Sequence, residues 1–178
     1  MRRGRDLLNL ASEASAAILL VALAVGAARA DAVADCNDAA DPRVRIDGCT
    51  AVIETEPAPE ILAVALMNRG IGWAANGDLD QALADLDAAL EASPGLPGAL
   101  YNRGNVMMDR DKPEKAIADF SAVIEDTPDF ALAWLNRGLA RERLRDKAGA
   151  RRDFAKALEL DESLDAAQRG LARTKRAR

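Results

Sequence analysis

The sequence predicts an all-α fold, a solenoid of three 34-residue helix-turn-helix units preceded by a half-unit helix and closed by a C-terminal capping helix. Three observations carry this reading. Asn-Arg-Gly occurs at Asn68-Arg69-Gly70, Asn102-Arg103-Gly104 and Asn136-Arg137-Gly138, 34 residues apart each time. Apolar residues around each triplet fall at helical spacing, and no part of the stretch alternates with the period of two that marks a half-buried strand. The interruptions between apolar runs fall at corresponding points of the period. A fixed repeat of this size belongs to an array whose units bury their apolar faces only against their neighbours.

Residues 1–30 lie ahead of the array and read as a cleaved secretory signal peptide. Arg2, Arg3 and Arg5 form a positive start, Ala16 to Ala28 is an apolar run, and Ala28-Arg29-Ala30 is an A-x-A cleavage site, so the mature chain is expected to begin at Asp31. The run, about thirteen residues, is shorter than the roughly 20 a spanning helix needs; retention as an uncleaved anchor is the competing reading. Gly4-Arg5-Asp6 stands where a twin-arginine signal needs apolar residues, and Asp35 stands where lipoprotein processing before Cys36 needs a small one. The expected location is the periplasm of a Gram-negative bacterium.

Residues 31–62 form an N-terminal segment and a capping helix. Pro42 to about Thr55 carries Val44, Ile46, Cys49, Val52 and Ile53 and reads as the second helix of an incomplete unit, with Glu56-Pro57-Ala58-Pro59 leading out of it. The chain has two cysteines, Cys36 and Cys49, and no His. An even count in an exported chain favours a disulfide. It would pin a loose leading segment onto the helix, worth ~3 kcal/mol by loop entropy. Free thiols are the alternative if export fails. The spacing is not that of a redox Cys-x-x-Cys pair, and no metal or other cofactor is expected.

The three units span residues 63–96, 97–130 and 131–164. In the first, a helix from about Val64 to Ala75 ends at Gly77-Asp78, and a second carries Leu79, Ala82, Leu83, Leu86, Ala89 and Leu90 on one face before Ser93-Pro94-Gly95. Asp78 with Gln81 has the spacing of a capping box. The second unit repeats the plan, with Pro113 in a first helical turn and Thr127-Pro128 as the stop. Gly70, Gly104 and Gly138 each cost ~1 kcal/mol relative to Ala inside a helix. Their phase against Ala82, Ala116 and Ala150, and against Leu86, Phe120 and Phe154, predicts close helix–helix packing. Residues 165–178 supply a polar-backed closing helix and a basic tail.

Without residues 1–30 the chain keeps 20 of its 24 Lys and Arg and 27 of its 29 Asp and Glu, a net charge of −7. A mildly acidic chain does not point to nucleic acid. Nor does it carry a phosphate-cradling Gly-rich loop, a G-x-S-x-G elbow or a metal-ligand motif, so no enzyme is expected.

On these residues the chain resembles the tetratricopeptide repeat family. Leu66, Leu100 and Trp134, the three in-phase glycines, Trp73, the recurring Ala, the Leu or Phe after it, the small residues Ala89, Val123 and Ala157, and Pro94 and Pro128 all match its pattern. Departures are Asp111 and Arg145 at the position of Gly77, Met107 and Arg141 at that of Trp73, and Glu162 for the closing Pro. The resemblance implies a right-handed solenoid whose first helices line a concave groove, and it implies that Asn68, Asn102 and Asn136 form a ladder presenting amides to a bound peptide backbone. Around them lie Met67, Ile71, Tyr101, Asn105, Met108, Leu135 and Leu139 as further groove positions, with a core role equally open for the two leucines. Arg143 alone could meet a terminal carboxylate, too little for a carboxylate clamp. The implied function is binding of a peptide or helix from a partner protein, with no nucleic acid partner and no membrane insertion after cleavage. The alternative is a homo-oligomeric scaffold that fills the same groove with its own second copy. Arg69, Arg103 and Arg137 precede Asp85, Asp119 and Asp153 by sixteen residues, which predicts ion pairs within or between units; two solvated charges are the alternative.

Overall fold

The computed structural model describes residues 30–176. The proposed signal peptide lies outside them except for Ala30. Among the described residues every regular element is an α-helix. We number them α1 (30–38), α2 (Pro42–Ile53), α3 (Pro59–Ala75), α4 (Leu79–Ala92), α5 (Pro97–Asp109), α6 (Pro113–Asp126), α7 (Ala131–Arg143), α8 (Lys147–Leu160) and α9 (Asp165–Arg176). Each helix packs on the next, and the first helices of neighbouring units also touch, α3 on α5, α5 on α7 and α7 on α9. That pattern is a solenoid.

The packing follows the small-against-large code. Leu86, Phe120 and Phe154 are fully buried. A Cβ added to Gly104 would stand 2.6 Å from Phe120 Cε1, one on Gly138 2.7 Å from Phe154 Cε1, and one on Gly70 3.0 Å from Leu86 Cγ. Each glycine is therefore the space into which the large side chain of its own unit fits. Gly170 of α9 lies against the other edge of the Phe154 ring, 2.6 Å from Cε2 to an added Cβ. The closing helix thus seals the last aromatic side chain.

The three turns inside the units share one geometry that departs from the local expectation. The side chain of Asp78 caps nothing, so the capping box does not form. Instead Gly77 closes α3 at φ 88°, donating to the Ala74 carbonyl while Asp78 N–H reaches the Trp73 carbonyl. This is the paired bonding of a Schellman end. Asp111 (φ 54°) and Arg145 (φ 62°) adopt the same left-handed geometry with the same bonds. The repeat conserves the backbone shape where it has lost the glycine.

The N-terminal segment is not loose. Residues 30–38 are helical, and Cys36 and Cys49 form the expected disulfide, tying α1 to α2. A Cβ on Gly48 would lie 2.6 Å from Asp35 Cβ, so α1 and α2 meet almost backbone to backbone. Arg45 donates to the carbonyls of Asn37 and Ala39 at the end of α1. The half-unit helix α2 therefore has a partner, and a fourth helix pair precedes the three read from the sequence.

Candidate interaction groove

Neighbouring first helices meet with an offset of 31 residues, one helical turn less than the repeat. Met67 Sδ would lie 2.8 Å from a Cβ on Gly98, Asn68 Nδ2 donates to Asn37 Oδ1 at 3.0 Å, and Asn136 Nδ2 donates to Asn105 Oδ1 at 2.8 Å. Asn136 Nδ2 also reaches the Tyr101 hydroxyl at 3.1 Å. Asn102 instead donates to the Gly98 carbonyl of its own helix at 2.7 Å. The three asparagines are thus in phase but not equivalent. Asn68 is buried and, like Asn136, stitches two helices together, while Asn102 is half-buried and bonds only locally. Its amide is the one of the three that could turn to a ligand without breaking an inter-helix bond.

The other expected groove residues divide. Met67, Ile71, Asn105, Met108 and Leu139 are half-buried. Leu135 is 6% exposed and packs with Phe154, Ala150, Ala157 and Ala167, so it is core and not groove. The reason is α9, which covers the last unit as the first helix of a further unit would. Tyr101 lies between these cases. Its ring tilts against Phe120 and Phe130 at centroid distances of 5.9 and 5.0 Å, while its hydroxyl accepts from the half-buried Asn136. Burial pushes its phenol above the ordinary value, so it stays protonated at neutral pH.

Asn105, Met108, Asp109, Asn136, Leu139 and Arg143 surround an open cleft of ≈ 280 Å³ between α5 and α7. Arg143 donates to the Met108 carbonyl, bridging the ends of the two helices. A second cleft of ≈ 280 Å³ lies between α1 and α3, lined by Val33, Val52, Val64, Ile61 and Ala65 together with Cys36, Asn37 and Glu60. None of its apolar lining residues carries a motif of its own. A signal was available, because Val33 stands 34 residues before Met67 and continues its column into α1.

The arginines following each Asn turn away into a ladder. Arg69 holds Asp85 through Nε and Nη2 at 2.7 and 2.8 Å, Arg103 holds Asp119 at 3.0 and 2.7 Å, and Arg137 holds Asp153 at 3.0 Å through both nitrogens. The remaining Nη1 reaches back to the preceding unit, to Thr50 (3.2 Å), Asp87 (2.8 Å) and Ser121 (3.1 Å) respectively. The expected ion pairs are therefore made within units, and each is extended by a hydrogen bond between units. Hydrogen bonding to Asp119 first, and to Asp87 after it, raises the Arg103 guanidinium above its usual range. Arg141 adds a further contact to Asp153 at 2.7 Å.

A family model described as Tetratricopeptide repeat matches residues 101–166. Among solved structures, the Sgt2 TPR domain from Aspergillus fumigatus is 30% identical, covers 64% of this chain and 77% of its own length, and has a TM-score of 0.60. A tetratricopeptide repeat protein from Parabacteroides merdae is 26% identical with a TM-score of 0.72, over 83% of this chain and 59% of its own. The second TPR domain of human RPAP3, solved in complex with an HSP70 peptide, is 24% identical with a TM-score of 0.63, over 67% of this chain and 99% of its own, a likeness of fold alone. No curated protein matches the chain.

Proposed function

Because the chain belongs to the tetratricopeptide repeat family, we propose that its concave face holds a peptide or helix of a partner protein and that it does so in the periplasm. One observation carries the binding reading. The Arg69, Arg103 and Arg137 charges are drawn into the ladder with Asp85, Asp119 and Asp153, which leaves the inner surface of α3 and α5 to Met67, Ile71, Tyr101, Asn102, Asn105 and Met108. A neutral strip of adaptable apolar side chains and amides suits a peptide's backbone and its uncharged side chains better than a charged ligand. The human domain of the same fold is solved with a bound HSP70 peptide, which supports a peptide as the kind of ligand.

Export is supported by the Cys36–Cys49 disulfide and by the leader-like residues 1–30. Cleavage after Ala30 would leave Asp31 at the first turn of α1, where a carboxylate suits the helix dipole. No helix among the described residues is long and apolar enough to cross a membrane.

The test is affinity capture of the mature protein from periplasmic extract, beside Asn102→Ala combined with Met108→Ala. Loss of the retained protein from the double variant supports the groove. Equal retention by both places the contact elsewhere, and retention of the chain alone favours the homo-oligomeric scaffold. Cell fractionation with N-terminal sequencing tests export, with Asp31 as the expected first residue.

A further inference from the structure

We propose that the cleft between α1 and α3 is a second docking site, one that takes an aliphatic side chain flanked by Lys or Arg. This rests on the reading of the concave face as a protein-binding surface and names the chemistry of what binds at its N-terminal end. Val33, Ile61 and Val64 are 49%, 56% and 39% exposed, half of the large apolar residues so exposed among those described, and all three line this one cleft. Val52 and Ala65 complete its apolar wall. Water gains little from such a surface, and a buried aliphatic group would remove it from solvent at ~25 cal/mol per Å².

The polar lining is limited to Asn37 and Glu60 besides the disulfide. Asn37 Oδ1 already accepts from Asn68, so the wall offers an entering polar group little in exchange for its water. That selects an apolar side chain for the interior. The wall is also held in place before anything binds. The disulfide, the close approach at Gly48 and the two Arg45 hydrogen bonds fix α1 on α2, so ordering costs are low.

Charge selects the flanks. Residues 31–60 carry eight carboxylates and two arginines, whereas residues 61–178 carry 19 and 18 of each sign. The net −6 of the α1–α2 region is therefore nearly the whole charge of the mature chain. Of its two cations, Arg45 is engaged with backbone carbonyls, and the exposed Glu60 lines the cleft itself. A surface of this sign speeds and orients encounter with a basic segment. The α5–α7 cleft shows no such bias, since Asp109 and Arg143 both line it.

Three fluorescein-labelled peptides test this by anisotropy against the mature full chain: Lys-Lys-Leu-Leu-Lys-Lys, Glu-Glu-Leu-Leu-Glu-Glu and Lys-Lys-Ser-Ser-Lys-Lys. The first should bind about tenfold or more tighter than either control and weaken as salt rises. Ile61→Ser with Val64→Ser should cost about tenfold in that affinity, with an unchanged melting curve because both side chains are exposed. Leu144→Ser, exposed and remote from the cleft, should leave it unaltered. Equal binding of all three peptides, or no binding, overturns the proposal, as does wild-type affinity in the Ile61/Val64 variant. Loss in Met108→Ala but not in the Ile61/Val64 variant also overturns it while leaving the groove reading intact. A wild-type dimer made monomeric by the Ile61/Val64 change would assign the cleft to a second copy and overturn it too.

Discussion

Replacing Asp153 with Asn should destabilise the solenoid more than the same change at Asp119, although the two stand at one position of the repeat. Asp153 has 1% of its side chain exposed and accepts from Arg137 twice and from Arg141 once. An amide keeps one acceptor and turns a donor toward guanidinium N–H groups that also donate. Breaking a buried pair by removing one partner costs ~3–5 kcal/mol. The side chains of Arg137 and Arg141 retain 12% and 23% exposure and can recover part of their hydration, which puts the loss at the lower end, ~3 kcal/mol. Asp119 has one arginine, and that arginine is 25% exposed and still holds Asp87, so ~1–2 kcal/mol is expected there. At roughly 4 °C per kcal/mol for a chain of this length, the melting temperature should fall by ~12 °C and ~6 °C respectively. Thermal unfolding followed by far-ultraviolet circular dichroism reads both, with exposed Asp129→Asn as the control. Equal shifts for the two variants would refute the ranking by burial and partner number, and an Asp153 variant that melts with the control would refute the ladder as a source of stability.

Other consequences are as direct. Arg145→Gly should raise stability by ~1 kcal/mol, because Arg145 holds a positive φ that glycine adopts without strain; chemical denaturation measures the gain. Gly104→Ala should cost ~1–3 kcal/mol by the same assay despite the better helix propensity of Ala, since the new Cβ would enter the Phe120 ring. Changing Cys36 and Cys49 together to Ser should cost ~3 kcal/mol, and hydrogen exchange should show the loss first in α1. Folding holds the Asp161 carboxyl below its ordinary value because the Ser163 hydroxyl and backbone N–H donate to it. The depressed value means its contribution is present above the unfolded pKa and lost as pH falls through the folded one. Ser163→Ala should therefore raise the Asp161 pKa toward the ordinary carboxylate range in an NMR titration, and no movement would show that the hydroxyl does not matter.

What the sequence made legible was whatever recurs at one phase inside a unit. Gly70 against Leu86, Gly104 against Phe120, and each Arg against the Asp sixteen residues on are all contacts within a helix pair, repeated three times. Repetition at fixed phase reports geometry that the unit itself determines. The end-effects were less visible. Leu135 has the same phase as Met67 and Tyr101, yet it is buried in the last cluster with Phe154 of α8 and Ala167 of α9, a difference that phase alone does not carry. The helix at 30–38 offers only Ala32, Val33 and Cys36 as an apolar face, and its fold depends on the disulfide and on Gly48, neither of which is a local signal.

Contacts between units follow a different spacing, and this bears on what the groove can do. Asn68 meets Asn37 and Asn136 meets Asn105 at 31 residues, not 34, so a column of identical residues hides which of them already have partners. Read by phase alone, Asn68, Asn102 and Asn136 are three free amides facing a ligand. Read by the 31-residue offset, two are spacers that set how far apart neighbouring first helices stand. Replacing the residue 31 positions earlier separates these roles. Asn105→Ala takes the acceptor from Asn136 but leaves Asn102 on the Gly98 carbonyl, so it should perturb helix spacing, and with it stability, more than Asn102→Ala does. Asn102→Ala should weaken partner binding at nearly constant stability. If the two variants lose stability and binding in the same proportion, the asparagines are one cooperative network and the division between spacer and ligand amide is wrong.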